Sequence, residues 1–149
     1  ALLQMLADAD SPVWLDHAAN TATVKGWIGF HTGAPMADTH GEAAFAVVSD
    51  AAKLPPLSMF ALGTQEYPDR STTLIIQVES LTEGAAMRLR GPGIKSVADI
   101  RVSKLPTGFE AQWAENNGLF PRGVDVILAA PHALVGLPRT TRLDMAEVA

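Results

Sequence analysis

The run from Phe120 to Leu143, FPRGVDVILAAPHALVGLPRTTRL, leaves the chain few choices of fold. Val124, Val126, Ile127 and Leu128 form an apolar stretch rich in β-branched residues, which suit a pleated surface better than a helix. Ala133 to Leu137 is a second short apolar stretch, and Pro131 and His132 stand between the two, where a turn belongs. The pair reads as a β-hairpin closing the core of an α/β domain. Its ends are polar: Arg122 and Asp125 enter the first strand, while Arg139, Thr140, Thr141 and Arg142 leave the second. Cations and hydroxyls at strand ends stand where α/β proteins tend to place ligands.

The rest of the chain fits around that hairpin as a single domain spanning residues 1–149. A chain this long buries roughly 70% of its unfolded surface. Leu2, Met5, Leu6 and Ala9 share a helical face at the start. Residues 12–15 read as a short strand and 17–20 as a connection. Residues 21–30 read as a helix that ends at His31-Thr32-Gly33, with Gly33 past the C-cap and Pro35 blocking continuation. Residues 43–48 read as a strand, 55–62 as a short helix with prolines in its first turn, and 63–70 as a loop. The strand expected over 72–81 is the most convincing in the chain. With 86–89 it reads as a hairpin turning at Thr82-Glu83-Gly84. A tight turn at Gly91-Pro92-Gly93-Ile94, an edge strand at 100–102, and a helix over 109–115 ended by Asn116-Asn117-Gly118 complete the set. Strands outnumber helices, so a mixed sheet with helices packed on it is expected. Trp27, Met59 and Phe60 read as core, with an adhesive surface for a partner as the alternative.

Composition excludes several classes of function. With 48% apolar and 18% charged residues the chain is globular. It has no cysteine, hence no disulfide and no thiolate chemistry, which is compatible with a reducing cytoplasm. No apolar stretch reaches membrane-spanning length, and no signal peptide is expected from the first residues. The net charge of −5 hides a split: residues 1–85 hold three bases and ten acids, residues 86–142 eight bases and four acids. A basic half can serve an anionic ligand or an acidic partner. Nucleic acid fits poorly, because the bases are spaced out and aromatic residues are few.

No residue set announces catalysis. His17, His31, His40 and His132 are isolated and form no metal-ligand spacing. Gly91-Pro92-Gly93 lacks the rest of a phosphate-binding loop, no nucleophile elbow is present, and Lys25, Lys53, Lys95 and Lys104 lack the setting of a Schiff-base lysine. The candidates that remain are contacts for an anion or a partner: His31, Arg122, Asp125, Arg139 and Thr140, with Arg142 beside them. Arginine offers a planar fork suited to phosphate or carboxylate. The plainer alternative is a structural ion pair, for example Arg122 with Asp125.

Seven segments in order resemble a known family: LADADSPVWL at 6–15, FHTGAP at 30–35, AFAV at 44–47, STTLIIQV at 71–78, LRGPGI at 89–94, FPRGVD at 120–125 and PRTT at 138–141. Together they resemble the PhnH family, the H subunit of the bacterial carbon–phosphorus lyase system of phosphonate utilisation. The resemblance implies a three-layer α/β/α fold with a mixed sheet, like the large domain of pyridoxal-phosphate-dependent transferases but without that cofactor. It implies a cytoplasmic subunit, a homodimer when isolated, that joins the G, I and J subunits. That complex transfers a phosphonate to the ribose C1′ of ATP with release of adenine. A non-catalytic supporting role, with no cofactor, is what the resemblance implies for this chain. An upstream segment carried by family members is expected ahead of residue 1. The alternative kept open is an independent enzyme or binder acting on a phosphorylated or phosphonate ligand.

Overall fold

A computed structural model of the chain describes residues 6–91, 98–103, 105–106 and 108–145. Among these described residues are two sheets and two α-helices longer than a single turn. The first sheet is built from β1 (Val13–Leu15), β2 (Phe45–Val48), β3 (Thr73–Gln77), β6 (Asp125–Ala130) and β7 (Ala133–Leu137), in that spatial order. β1, β2, β3 and β6 run parallel, and β7 returns antiparallel beside β6. The mixed sheet and the final hairpin with its Pro131-His132 turn are as the sequence predicts. The second sheet is antiparallel, in the order β5 (Ala98–Val102), β4 (Ala85–Arg90), β8 (Arg142–Met145). β5 lies at its edge, as expected; β8 has no counterpart in the sequence reading.

Register sorts the first sheet into two faces. Trp14, Ala46, Leu74 and Val126 stand in one row across four strands, and Leu15, Val47, Ile75 and Ile127 in the next. Because side chains alternate along a strand, the first row faces one side and the second the other. The first face belongs to the larger core, which also takes in Met87, Leu89 and Val102 from the second sheet. The second face belongs to a smaller core with Val13, Ala34 and Ala7. The helix α1 (Ala22–Thr32) closes the smaller core with Ile28, and α2 (Phe109–Gly118) closes the larger with Phe109 and Trp113.

The helix ends follow from local chemistry. Thr21 caps α1, its Oγ1 accepting from the Val24 amide at 3.2 Å. Gly33 takes the left-handed conformation (φ 71°) that ends it, its N–H donating to the Gly29 carbonyl. At α2 the structure corrects the sequence reading, because the helix runs through Asn116 and Asn117 rather than stopping there. Asn116 is buried, and its side-chain amide pairs with the backbone of Val124 in both directions, each bond 2.9 Å. An asparagine that would otherwise compete with the helix finds its partners on the segment entering β6.

Two other expectations fail for physical reasons. The helix over 55–62 is absent; Ala51–Lys53 and Leu57–Met59 form single 3-10 turns. Pro55 and Pro56 remove two amide donors and hold the preceding residues extended. The hairpin between 72–81 and 86–89 is also absent. β3 stops at Gln77 with β2 and β6 on its two edges, so no edge is left for β4. Leu74, Ile75 and Ile76 are all buried, the mark of a strand covered on both faces. The chain instead bends at Ser80, whose Oγ accepts from the Thr82 and Glu83 amides, and enters the second sheet. At Gly84 (φ 118°) a Cβ would run into the Val102 carbonyl, so only glycine fits that bend.

Phe60 is core, as expected, while Met59 and Trp27 are exposed, because their short turn and helix each bury one flank only. The start of the first predicted helix, including Leu2 and Met5, lies outside the described residues, as do Pro92 to Ile94 of the tight turn, Lys95 and Lys104. No helix among the described residues is long and apolar enough to cross a membrane.

Candidate functional site

Asp125 is the first residue of β6, and β6 runs parallel to β1, β2 and β3. Asp125 therefore lies at the amino ends of the parallel strands. β7 runs the opposite way, so its exit, carrying Arg139, returns to the same edge. Open α/β sheets place ligands at the carboxyl ends. The polar decoration of the hairpin thus sits at the opposite end from the one its strand-end position suggests.

There the residues make one tight knot. The Arg139 Nη2 donates to Asp125 Oδ2 at 2.7 Å and its Nε to Oδ1 at 3.1 Å, a forked ion pair. The Arg139 backbone amide also donates to Oδ1 at 2.7 Å. The remaining guanidinium donors reach the Pro68 carbonyl at 2.7 Å, the Pro121 carbonyl at 3.1 Å and the Ser71 hydroxyl at 2.6 Å. One side chain therefore ties together the loop before β3, the turn before β6 and the end of β7. The ion pair foreseen for Asp125 exists, but its cation is Arg139 and not Arg122.

Next to this knot, α2 anchors the strand exit. Trp113 is fully buried and donates from Nε1 to the Thr141 carbonyl at 2.8 Å. Asn117 donates to the Arg139 and Thr141 carbonyls, both at 2.9 Å. Thr141 is itself buried, and its amide closes a turn onto the Pro138 carbonyl. An open cleft of about 210 Å³ lies over this junction, lined by Asn117, Phe120, Arg139, Thr140 and Arg142.

Arg122 stands in the turn before β6, half-buried, with a buried Nε that has no hydrogen-bond partner among the described residues. His31 belongs elsewhere. It ends α1, with its ring centroid 4.3 Å from that of Trp27 and 5.0 Å from that of Phe30. Phe30 is 87% exposed, so the three rings form an uncovered aromatic face on α1. Asp125, Arg139 and Thr140 are brought together; His31 is not part of that group.

Asp16 carries no motif or spacing that marks it in the sequence. It follows β1, is buried, and accepts four hydrogen bonds. Oδ2 takes the Ser49 and Asp50 amides at 2.9 and 3.0 Å; Oδ1 takes the Ser49 hydroxyl and the Ala19 amide, both at 2.9 Å. This carboxylate locks the exits of β1 and β2. Its donors all come from the chain itself, so its work is structural. Asp16→Ala is expected to destabilise the fold by about 2–4 kcal/mol, since it orphans four donors. Asp16→Asn is expected to fall between the two, because its NH₂ would face donors; urea unfolding of the three proteins checks the order.

Comparison with known proteins adds what geometry does not supply. Residues 1–144 match the family described as bacterial phosphonate metabolism protein (PhnH). The chain is 48% identical over 144 residues to alpha-D-ribose 1-methylphosphonate 5-triphosphate synthase subunit PhnH of Rhizobium meliloti (strain 1021), covering 97% of this chain and 72% of that protein. It is 39% identical over 84 residues to HtxG of Stutzerimonas stutzeri, named for a role as a C-P lyase subunit, covering 56% of this chain and 43% of that protein.

Proposed function

Because the chain belongs to the PhnH family of bacterial phosphonate metabolism proteins, we propose that it is a subunit of a carbon–phosphorus lyase complex. The observation that carries this reading is the 48% identity, across nearly the whole chain, to a subunit of a ribose 1-methylphosphonate 5-triphosphate synthase. In this reading the complex moves a phosphonate onto the ribose C1′ of ATP and releases adenine, and this chain supports the step without supplying catalytic groups. Its partners are the G, I and J subunits, its compartment is the cytoplasm, and it pairs with itself when isolated. In the same reading the fold is a three-layer α/β/α one with a mixed sheet, like the large domain of pyridoxal-phosphate-dependent transferases without that cofactor.

The site geometry supports a supporting role. The most promising arginine, Arg139, has its donors engaged within the protein, where it joins three segments. Two of the segments that carry the family resemblance, FPRGVD and PRTT, meet in that knot, and their residues hold the chain together. His31, with Trp27 and Phe30, offers an aromatic face to a partner. Aromatic residues are enriched in the energetic centres of interfaces.

Growth tests the role. A bacterial strain deleted for its own H-subunit gene, given methylphosphonate as sole phosphorus source, is expected to regain growth when the full-length gene for this protein is supplied. Growth on phosphate but not on methylphosphonate, with the protein present and folded, would overturn the reading.

A further inference from the structure

The cleft over the end of α2 holds cationic capacity that the fold does not use. Arg142 lines it, is exposed, and has no ion pair or hydrogen bond through its side chain among the described residues. Arg139 lines it too, but is neutralised by Asp125. Thr140 is half-buried, and its hydroxyl makes no hydrogen bond among the described residues. Phe120 exposes 61% of its surface at the same wall. Arg122, two residues further along the chain, lies outside the lining of the cleft, and its buried Nε has no hydrogen-bond partner among the described residues. The segment 86–142 around them has four more bases than acids.

These groups have complementary chemistry. A guanidinium fork and a free hydroxyl suit the oxygens of a tetrahedral oxyanion. An exposed ring beside them suits an apolar substituent on that anion. A volume of about 210 Å³ is below the size of pockets that enclose a drug-sized ligand. We propose that this cleft binds a small organic oxyanion of the phosphonate or phosphate-ester class. Its oxygens lie on Arg142 and Thr140, and its carbon substituent lies against Phe120. The ligand class rests on the phosphonate reading above; the location rests on the cleft alone.

The test is titration of the purified full-length protein with inorganic phosphate, methylphosphonate and phenylphosphonate, followed by calorimetry and by amide NMR shifts. Phenylphosphonate is expected to bind saturably and tighter than inorganic phosphate. Arg142→Ala is expected to weaken it by about tenfold or more, and Arg142→Lys by less. Phe120→Ala is expected to weaken phenylphosphonate by about three- to tenfold while leaving methylphosphonate nearly unchanged. Arg142 is exposed, so its variants should melt with the wild type, which separates lost binding from lost folding. Absence of saturable binding overturns the proposal, as does equal binding by Arg142→Ala or a preference for inorganic phosphate. Growth rescue on methylphosphonate is scored separately, so the cleft can fail while the subunit role stands.

Discussion

Arg139→Ala is expected to lower the unfolding free energy by about 3 kcal/mol and the melting temperature by about 10 °C. Removing one member of a buried ion pair typically costs about 3–5 kcal/mol. The Arg139 side chain is 13% exposed and that of Asp125 33%, so the pair is partly screened and the lower end applies. The change also leaves the Pro68 and Pro121 carbonyls and the Ser71 hydroxyl without their donor. Arg139→Lys keeps the charge but not the fork, and is expected to recover less than half of the loss. Asp125→Asn weakens the same contact from the other side, so the double variant should lose much less than the sum of the singles. Thermal and urea unfolding check all three. A melting temperature for Arg139→Ala within about 2 °C of wild type would show that the knot is not structural.

Trp113→Ala is expected to be more severe, about 3–5 kcal/mol, from the cavity left in the larger core. The indole is fully buried, its neighbour Phe109 stacks 6.2 Å away, and its N–H holds the Thr141 carbonyl. Trp113→Phe separates the two contributions. It keeps most of the ring but drops the hydrogen bond, and should lose about 1–2 kcal/mol. Since Thr141 precedes β8, the phenylalanine variant should also speed amide exchange in β8 before it affects the parallel sheet. Hydrogen exchange followed residue by residue reads that difference directly.

These two side chains also show what the sequence could and could not disclose. The parallel strands are legible because burial leaves a visible apolar signature, a continuous run at Leu74, Ile75 and Ile76 and an alternation at Val126 and Leu128. The helix α1 is legible because Thr21 and Gly33 are local end signals. The fate of residues 78–90 is not. Whether a strand turns back on its neighbour or crosses to another sheet depends on which edges are already filled, a property of the assembled sheet. β8 is hidden for the same reason, since Arg142 to Met145 is too short to read as a strand without β4 beside it.

The site divides in the same way. The arginine-rich strand ends are plain in the sequence, and Asp125 pairing with an arginine is a local guess that needed only the correct partner. That Arg139 also binds residues 68 and 71 is long-range and cannot be read from spacing. Asp16 and Asn116 do not stand out in the sequence, because an acid after a strand and an asparagine late in a helix are ordinary end signals. Their importance comes from donors and acceptors brought in by Ser49 and Val124. Phe120 is a hydrophobic residue at a turn, noticed only once the fold exposes it beside Arg142.

The central claim is that this chain works as a subunit. Co-expression of the full-length tagged protein with the G, I and J subunits from its own organism, followed by affinity purification and light scattering, tests it most directly. A stoichiometric complex that survives moderate salt is the predicted result. A lone self-associated species, with none of the three subunits retained at low or moderate salt, would contradict it.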